Sequence, residues 1–193
     1  MMGIKHSQAA VRLKVMLNDV RPAVQRVVDV SDDVSLERLH LILNAAMGWE
    51  NRHLWEFRVG RVTFRVPDGF DSGRFKDARS VSLAALMAKG SIDQFTYFYD
   101  FGDGWEHRVM VEGVVEGQLD AVYPRLVEAK GACPPEDVGG PSGYAEFLEA
   151  LSDHHHERHQ ELRDWAPAGF DAKRVDRLSL EKKLTALAKA WGH

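Results

Sequence analysis

The 193-residue sequence has a single cysteine, Cys133, so it can form no internal disulfide. A chain of this length can bury a sufficient core without a disulfide or metal staple. The lone thiol suits a reducing compartment, and a cytoplasmic location is expected. No uninterrupted apolar stretch is long enough to cross a bilayer. Residues 1–12 hold Lys5, His6 and Arg12 but no apolar segment of a secretory leader, so no membrane association is expected. Positive charge is not in excess either: 25 Lys and Arg stand against 29 Asp and Glu, giving a net charge of −4 and a pI of about 6.1. No global field draws such a chain to a phosphate backbone, and tight nucleic-acid binding is not expected. Internal repeats and long linkers are also missing.

What remains is the balance of an ordinary globular protein, 45% hydrophobic and 28% charged. Val11, Leu13, Val15 and Leu17 alternate with Arg12, Lys14 and Met16, the period-2 pattern of a half-buried strand. After Asn18-Asp19 and Pro22 the alternation resumes at Val24, Arg26 and Val28, which predicts a hairpin. Ser35 can cap a helix whose Leu36, Leu39, Leu43 and Met47 form one stripe, with His40 beside it and Gly48 as the stop. His53, Trp55, Phe57 and Val59 predict a strand answered by Val62, Phe64 and Val66 across the turn Gly60-Arg61. A short capped helix is expected over Ser82 to Lys89, closed by Gly90. Phe95, Tyr97, Tyr99 and Phe101 alternate up to Gly102-Asp103-Gly104, and Trp105, His107, Val109 and Val111 alternate beyond it, a third hairpin. Residues 131–143 are rich in glycine and proline and read as a loop that enters a helix near Tyr144. A further helix is expected over Asp153 to Trp165, ended by Pro167. Leu180, Leu184, Leu187 and Trp191 mark a C-terminal amphipathic helix.

Together these elements predict an α+β fold, with antiparallel hairpins forming a curved sheet or partial barrel covered by helices. The domain would span 1–171. Residues 172–193 would add a helix packed on the domain or on a partner.

Several blocks are distinctive. They are Leu39-His40, Gly48-Trp49 with His53-Leu54 and Phe57, the run Tyr97 to His107 (YFYDFGDGWEH), and the run Ala132 to Tyr144 (ACPPEDVGGPSGY). In order and spacing, from about Val11 to Asp171, the chain resembles the plasmid pRiA4b ORF-3-like protein family. The resemblance implies an α+β fold and a bacterial, plasmid- or transposon-associated setting, but it carries no established activity. Relatives often have a second cysteine at the position of Val138, so the likeness does not extend to a thiolate pair.

The candidate site is a polar and aromatic set: Trp49, His53, Asp100, Asp103, Trp105, His107, Glu136 and Asp137. Carboxylates and imidazoles beside aromatic walls are what a divalent metal site or an acid–base pair needs. Turn chemistry is the competing account, because Asp100 and Asp103 bracket a hairpin tip and Glu136-Asp137 can brace the Pro-rich loop. The hairpin tip at 100–107, the loop at 133–143 and the segment Trp49 to His53 are expected on one face, with Asp103 and Glu136 or Asp137 opposite His53 or His107.

The run His154, His155, His156 and His159 lacks the glutamate placement of a zinc protease helix, since Glu157 follows the second of the paired histidines. His155 and His159 remain weak metal ligands at helical spacing if that helix forms. Cys133 has no base placed beside it by the sequence. The stretch Gly139 to Gly143 lacks the lysine of a phosphate-binding P-loop. Three functions follow in order: a binding or accessory module that engages a small ligand or protein through the cleft, a metal-assisted hydrolase using the same cleft, and a DNA recombination factor. No catalytic residue or cofactor is assigned by the sequence.

Overall fold

The computed structural model describes residues 9–67, 75–88, 92–116 and 121–192. β1 (Ala10–Leu17) and β2 (Gln25–Ser31) form the first hairpin, with Leu13 opposite Val28. Val11, Leu13 and Val15 are fully buried and their alternating neighbours are half-buried, as period-2 patterning requires. α1 (Leu36–Met47) starts at Ser35, whose hydroxyl accepts from the Arg38 N–H, and stops at Gly48 in the left-handed region.

β3 (Trp55–Val59) and β4 (Val62–Arg65) make the second hairpin, with Gly60 at φ +57° in the turn. β5 (Lys76–Asp77) adds a two-residue parallel pairing to β4. α2 (Leu83–Met87) is capped by Ser82; the expected end at Lys89 and Gly90 lies outside the described residues. β6 (Gln94–Tyr99) and β7 (Trp105–Val115) form the third hairpin. β8 (Arg125–Lys130) returns to pair with β2.

All eight strands lie in one curved, open sheet, ordered β5-β4-β3-β6-β7-β1-β2-β8. The fold is therefore α+β and antiparallel apart from β5, and it does not close into a barrel. The neighbouring strands β7 and β1 carry a bulge: Leu13 pairs with Val111 while Arg12 pairs with Gly113.

Three helices follow: α3 (Gly140–Ser152), α4 (His159–Trp165) and α5 (Arg177–Ala190). Two expectations are corrected here. α3 begins at Gly140 rather than near Tyr144, because Pro141 fits the first helical turn and Gly139 supplies a left-handed cap. The helix expected from Asp153 to Trp165 is broken. Asp153 takes an extended conformation and its side chain accepts from the His155 N–H, which diverts the backbone into turns until His159. His154 to His156 therefore lie in a turn, and His155 and His159 do not share a helix face. His159 instead places Nδ1 2.6 Å from the Ala150 carbonyl.

α5 buries Leu180, Leu184 and Ala188 and packs on α1 and β8 of the same chain. The Arg38 guanidinium covers the ring of Trp191 at 4.9 Å. Among the described residues no helix is long and apolar enough to cross a membrane.

Candidate functional site

The β6–β7 turn is built by Asp100. Its backbone sits at φ +58°, and its Oδ1 accepts from the N–H groups of Gly102 (2.8 Å) and Asp103 (3.3 Å). Oδ2 is left facing His53 Nδ1 at 3.6 Å. His53 does not belong to β3, as the alternation had suggested. The strand begins at Trp55, and His53 lies in the connection from α1, folded over the end of the sheet.

The loop before α3 closes over this corner from the other side. Glu136 Oε1 accepts from the Glu50 N–H (2.8 Å) and from the Tyr99 hydroxyl (3.1 Å), so loop, helix end and strand are joined at one carboxylate. Asp137, at φ +60°, brings Oδ1 to 3.1 Å from His53 Nε2, and Glu136 Oε2 is 3.5 Å from the same nitrogen. Asp103 is spent on architecture: Oδ2 accepts from the Gly139 N–H at 3.1 Å. Trp49 pins the loop, donating from Nε1 to the Pro134 carbonyl (3.0 Å) and stacking on Tyr99 with ring centres 4.8 Å apart.

The structure thus brings His53, Asp100, Glu136 and Asp137 together, with Trp49 and Asp103 as their supports. It does not bring Trp105 or His107 into the same space. Both are fully buried beneath Trp49, whose ring meets His107 edge-on at 5.3 Å, and they belong to the core. The alternation placed them correctly on one face. That face is the packed one, so neither can touch a ligand.

The chemistry of the corner rests on His53. Its Nε2 is sealed from solvent and makes no hydrogen bond, yet it lies beside two carboxylates. Donor atoms of His53, Asp100 and Asp137 all lie within 4.8 Å of one another. Ligands on a single ion with ~2.1 Å bonds sit roughly 3–4 Å apart, so a closure of about 1 Å would bring these onto one cation. The remaining reactive groups nearby are held protonated. Burial raises the Tyr99 hydroxyl to about 12 and the half-buried Cys133 thiol to about 12, so neither offers a nucleophile at neutral pH.

Beside the corner lies a cleft of about 620 Å³ lined by residues that include Arg26, Trp49, Glu136, Asp137 and Lys183. Sequence reasoning missed Tyr99, Arg26 and Lys183 as site residues. For Arg26 a signal was present: it is a charged residue at an inward position of the alternation Val24, Arg26, Val28.

An uncharacterised protein, y4hQ, from Sinorhizobium fredii (strain NBRC 101917 / NGR234) is 46% identical over 184 residues, 95% of this chain and 94% of that one. The crystal structure of a protein of unknown function, MM3350, from Methanosarcina mazei Go1 superposes with a TM-score of 0.80 at 26% identity, covering 92% of this chain and 98% of that one. The family model described as plasmid pRiA4b ORF-3-like protein matches residues 9–179, a span that holds every strand and all four residues of the His53 corner. With the sheet, the YDFGDGWEH hairpin and the loop over it inside that match, the chain belongs to the plasmid pRiA4b ORF-3-like protein family.

Proposed function

We propose that this protein is a binding module whose His53, Asp100, Glu136 and Asp137 corner holds a divalent cation. The observation that carries this reading is the unbonded, solvent-shielded His53 Nε2 facing Asp137 Oδ1 and Glu136 Oε2. A polar atom in that state costs free energy, and an ion bridging it to the carboxylates removes the cost. Mixed imidazole and carboxylate donors suit Zn²⁺ or Mn²⁺ better than Ca²⁺, which takes oxygen ligands.

A metal-assisted hydrolase is the second reading, favoured by the 620 Å³ cleft that shares Glu136 and Asp137 with the corner and leaves room for a substrate. Binding ranks first because it requires only the donor set of the corner, whereas hydrolysis also requires a substrate in the cleft.

The test is calorimetric titration of chelator-treated protein with Zn²⁺ and Mn²⁺. One ion should bind per chain, and His53→Ala or Asp100→Asn should weaken it by at least about tenfold. Undiminished affinity in an Asp100→Asn, Asp137→Asn double variant with an intact fold would remove the proposal.

A further inference from the structure

The cleft behind the Pro-rich loop contains a cation without a counter-charge. Arg26 is 1% exposed, and its guanidinium is held rigidly by backbone carbonyls. Nε donates to Ala46 (2.7 Å), and Nη1 donates to Gln25 (2.8 Å), Lys130 (2.9 Å) and Gly131 (3.0 Å). Among the described residues Nη2 has no acceptor, and no carboxylate pairs with the group. A buried charge is normally matched by an acid, because carbonyl dipoles satisfy its geometry but leave its net charge uncompensated. Burial holds the Arg26 pKa below its usual value.

A second cation stands at the same wall. Lys183 reaches back from α5, and its Nζ donates to the carbonyls of Gly48 (2.6 Å) and Trp49 (3.2 Å), again with no acid partner among the described residues. The acids that line the cleft are engaged elsewhere. Glu50 is ion-paired with Arg52, Glu136 accepts from the Glu50 N–H and Tyr99, Asp137 faces His53 Nε2, and Asp176 caps α5 by accepting from the Ser179 N–H. Arg26 and Lys183 are therefore cations of the cleft that no acid pairs with directly among the described residues, although the charges of the lining as a whole balance. Around them the lining is apolar, with Met47, Pro134, Trp165, Phe170 and Leu180. A space of about 620 Å³ is in the size range of small-molecule sites.

We propose that this cleft binds a small organic carboxylate with an apolar body, its carboxylate on Arg26 and Lys183 and its body against Trp165 and Phe170. The cleft shares Glu136 and Asp137 with the His53 corner, but Arg26 and Lys183 lie outside that corner and the proposal does not require its cation. The alternative role for both cations is purely structural. Ala46 and Gly48 lie at the C-terminal end of α1, where positive charge stabilises the helix. That role explains the carbonyl contacts, but it requires neither two cations nor an apolar chamber beside them.

The test uses the full chain with chelator present, so that it reports nothing about the metal corner. 3-Phenylpropionate, its neutral amide and inorganic phosphate are titrated by calorimetry and tryptophan fluorescence. 3-Phenylpropionate should bind saturably at one site, and the amide should bind at least about tenfold more weakly, the loss of one charge-assisted contact. Lys183→Gln should weaken the carboxylate by a similar factor while leaving the amide unchanged. Arg26→Lys should do the same where it folds. Because Arg26 also braces four carbonyls, Lys183→Gln is the decisive variant, with its fold checked by circular dichroism. Equal affinity for acid and amide, or undiminished carboxylate binding in Lys183→Gln, would overturn the proposal. So would an absence of saturation by 3-phenylpropionate, or phosphate binding at least as tightly.

Discussion

Asp100 shows how one side chain serves both fold and site. Oδ1 holds the hairpin tip through two backbone N–H groups, which leaves Oδ2 aimed at His53. The acids at 100, 103, 136 and 137 could be found in the sequence because turns and loops favour such residues, but their division of labour could not. Asp103 went to the loop and Asp137 to the imidazole, and that depends on where the loop crosses the hairpin. The crossing is fixed by Gly140. At φ +69° it lies so close to Asp103 that an added Cβ would come within 2.3 Å of the Asp103 carbonyl oxygen. Gly169, at φ +70°, has nothing within 4 Å of the same position, so the pair separates backbone strain from contact. Gly169→Ala should cost about 1 kcal/mol from the left-handed conformation alone. Gly140→Ala should cost at least about 1 kcal/mol more, since backbone must move against backbone. Urea denaturation of the two variants checks this, and equal losses would mean that the tip and loop are not in the tight contact described.

At the scale of elements, strands whose apolar residues kept strict alternation were readable, β7 among them because its bulge at Glu112 falls after the run Trp105 to Val111, whereas β8, bulged within its alternation, was not. All three hairpins follow from period-2 runs and turn residues. β8 escaped because its pairing with β2 shifts between Val27 and Val28, so its buried Leu126 and half-buried Ala129 are three residues apart rather than two. The break between α3 and α4 escaped because Asp153 is compatible with helix composition, while its side chain captures the His155 N–H. Trp105 and His107 were assigned to the right face but to the wrong environment, since alternation cannot tell which face meets water.

α5 was readable from its apolar stripe, and its packing on α1 and β8 makes it part of the core. Leu184 is 1% exposed, and its truncation to Ala should cost roughly 2–5 kcal/mol. Leu178, 68% exposed on the same helix, should tolerate Ala within about 0.5 kcal/mol. In Leu184→Ala the near-ultraviolet and far-ultraviolet unfolding transitions should shift together. A far-ultraviolet change that precedes the near-ultraviolet one would show that α5 opens as a separate unit.

The whole molecule carries a pH dependence set by two histidines in its interior. His40 is stacked on Trp55 with ring centres 4.1 Å apart, and it places Nδ1 2.7 Å from the Tyr97 hydroxyl and Nε2 2.7 Å from Asn51 Oδ1. That pattern suits the neutral ring, with Nε2 donating to Asn51 and Nδ1 accepting from Tyr97. His107 donates from Nδ1 to the Tyr97 carbonyl at 3.1 Å, and its Nε2 is buried with no partner, so a proton added there would have no acceptor. Burial accordingly lowers both side chains to about 4 from an ordinary value of 6.5. Between those limits the unfolded chain takes up protons that the folded chain refuses. Stability is therefore complete above pH 6.5 and falls as the pH drops toward 4, at up to ~1.4 kcal/mol per pH unit for each histidine and ~2.7 for the two. The urea midpoint should accordingly drop between pH 7 and pH 5. His40→Gln, which leaves one such group, should lower stability at pH 7 but show about half the slope. A midpoint that stays level from pH 7 to pH 5 would mean that these rings accept protons in the folded state, and the sealed aromatic interior between α1 and the sheet would have to be abandoned.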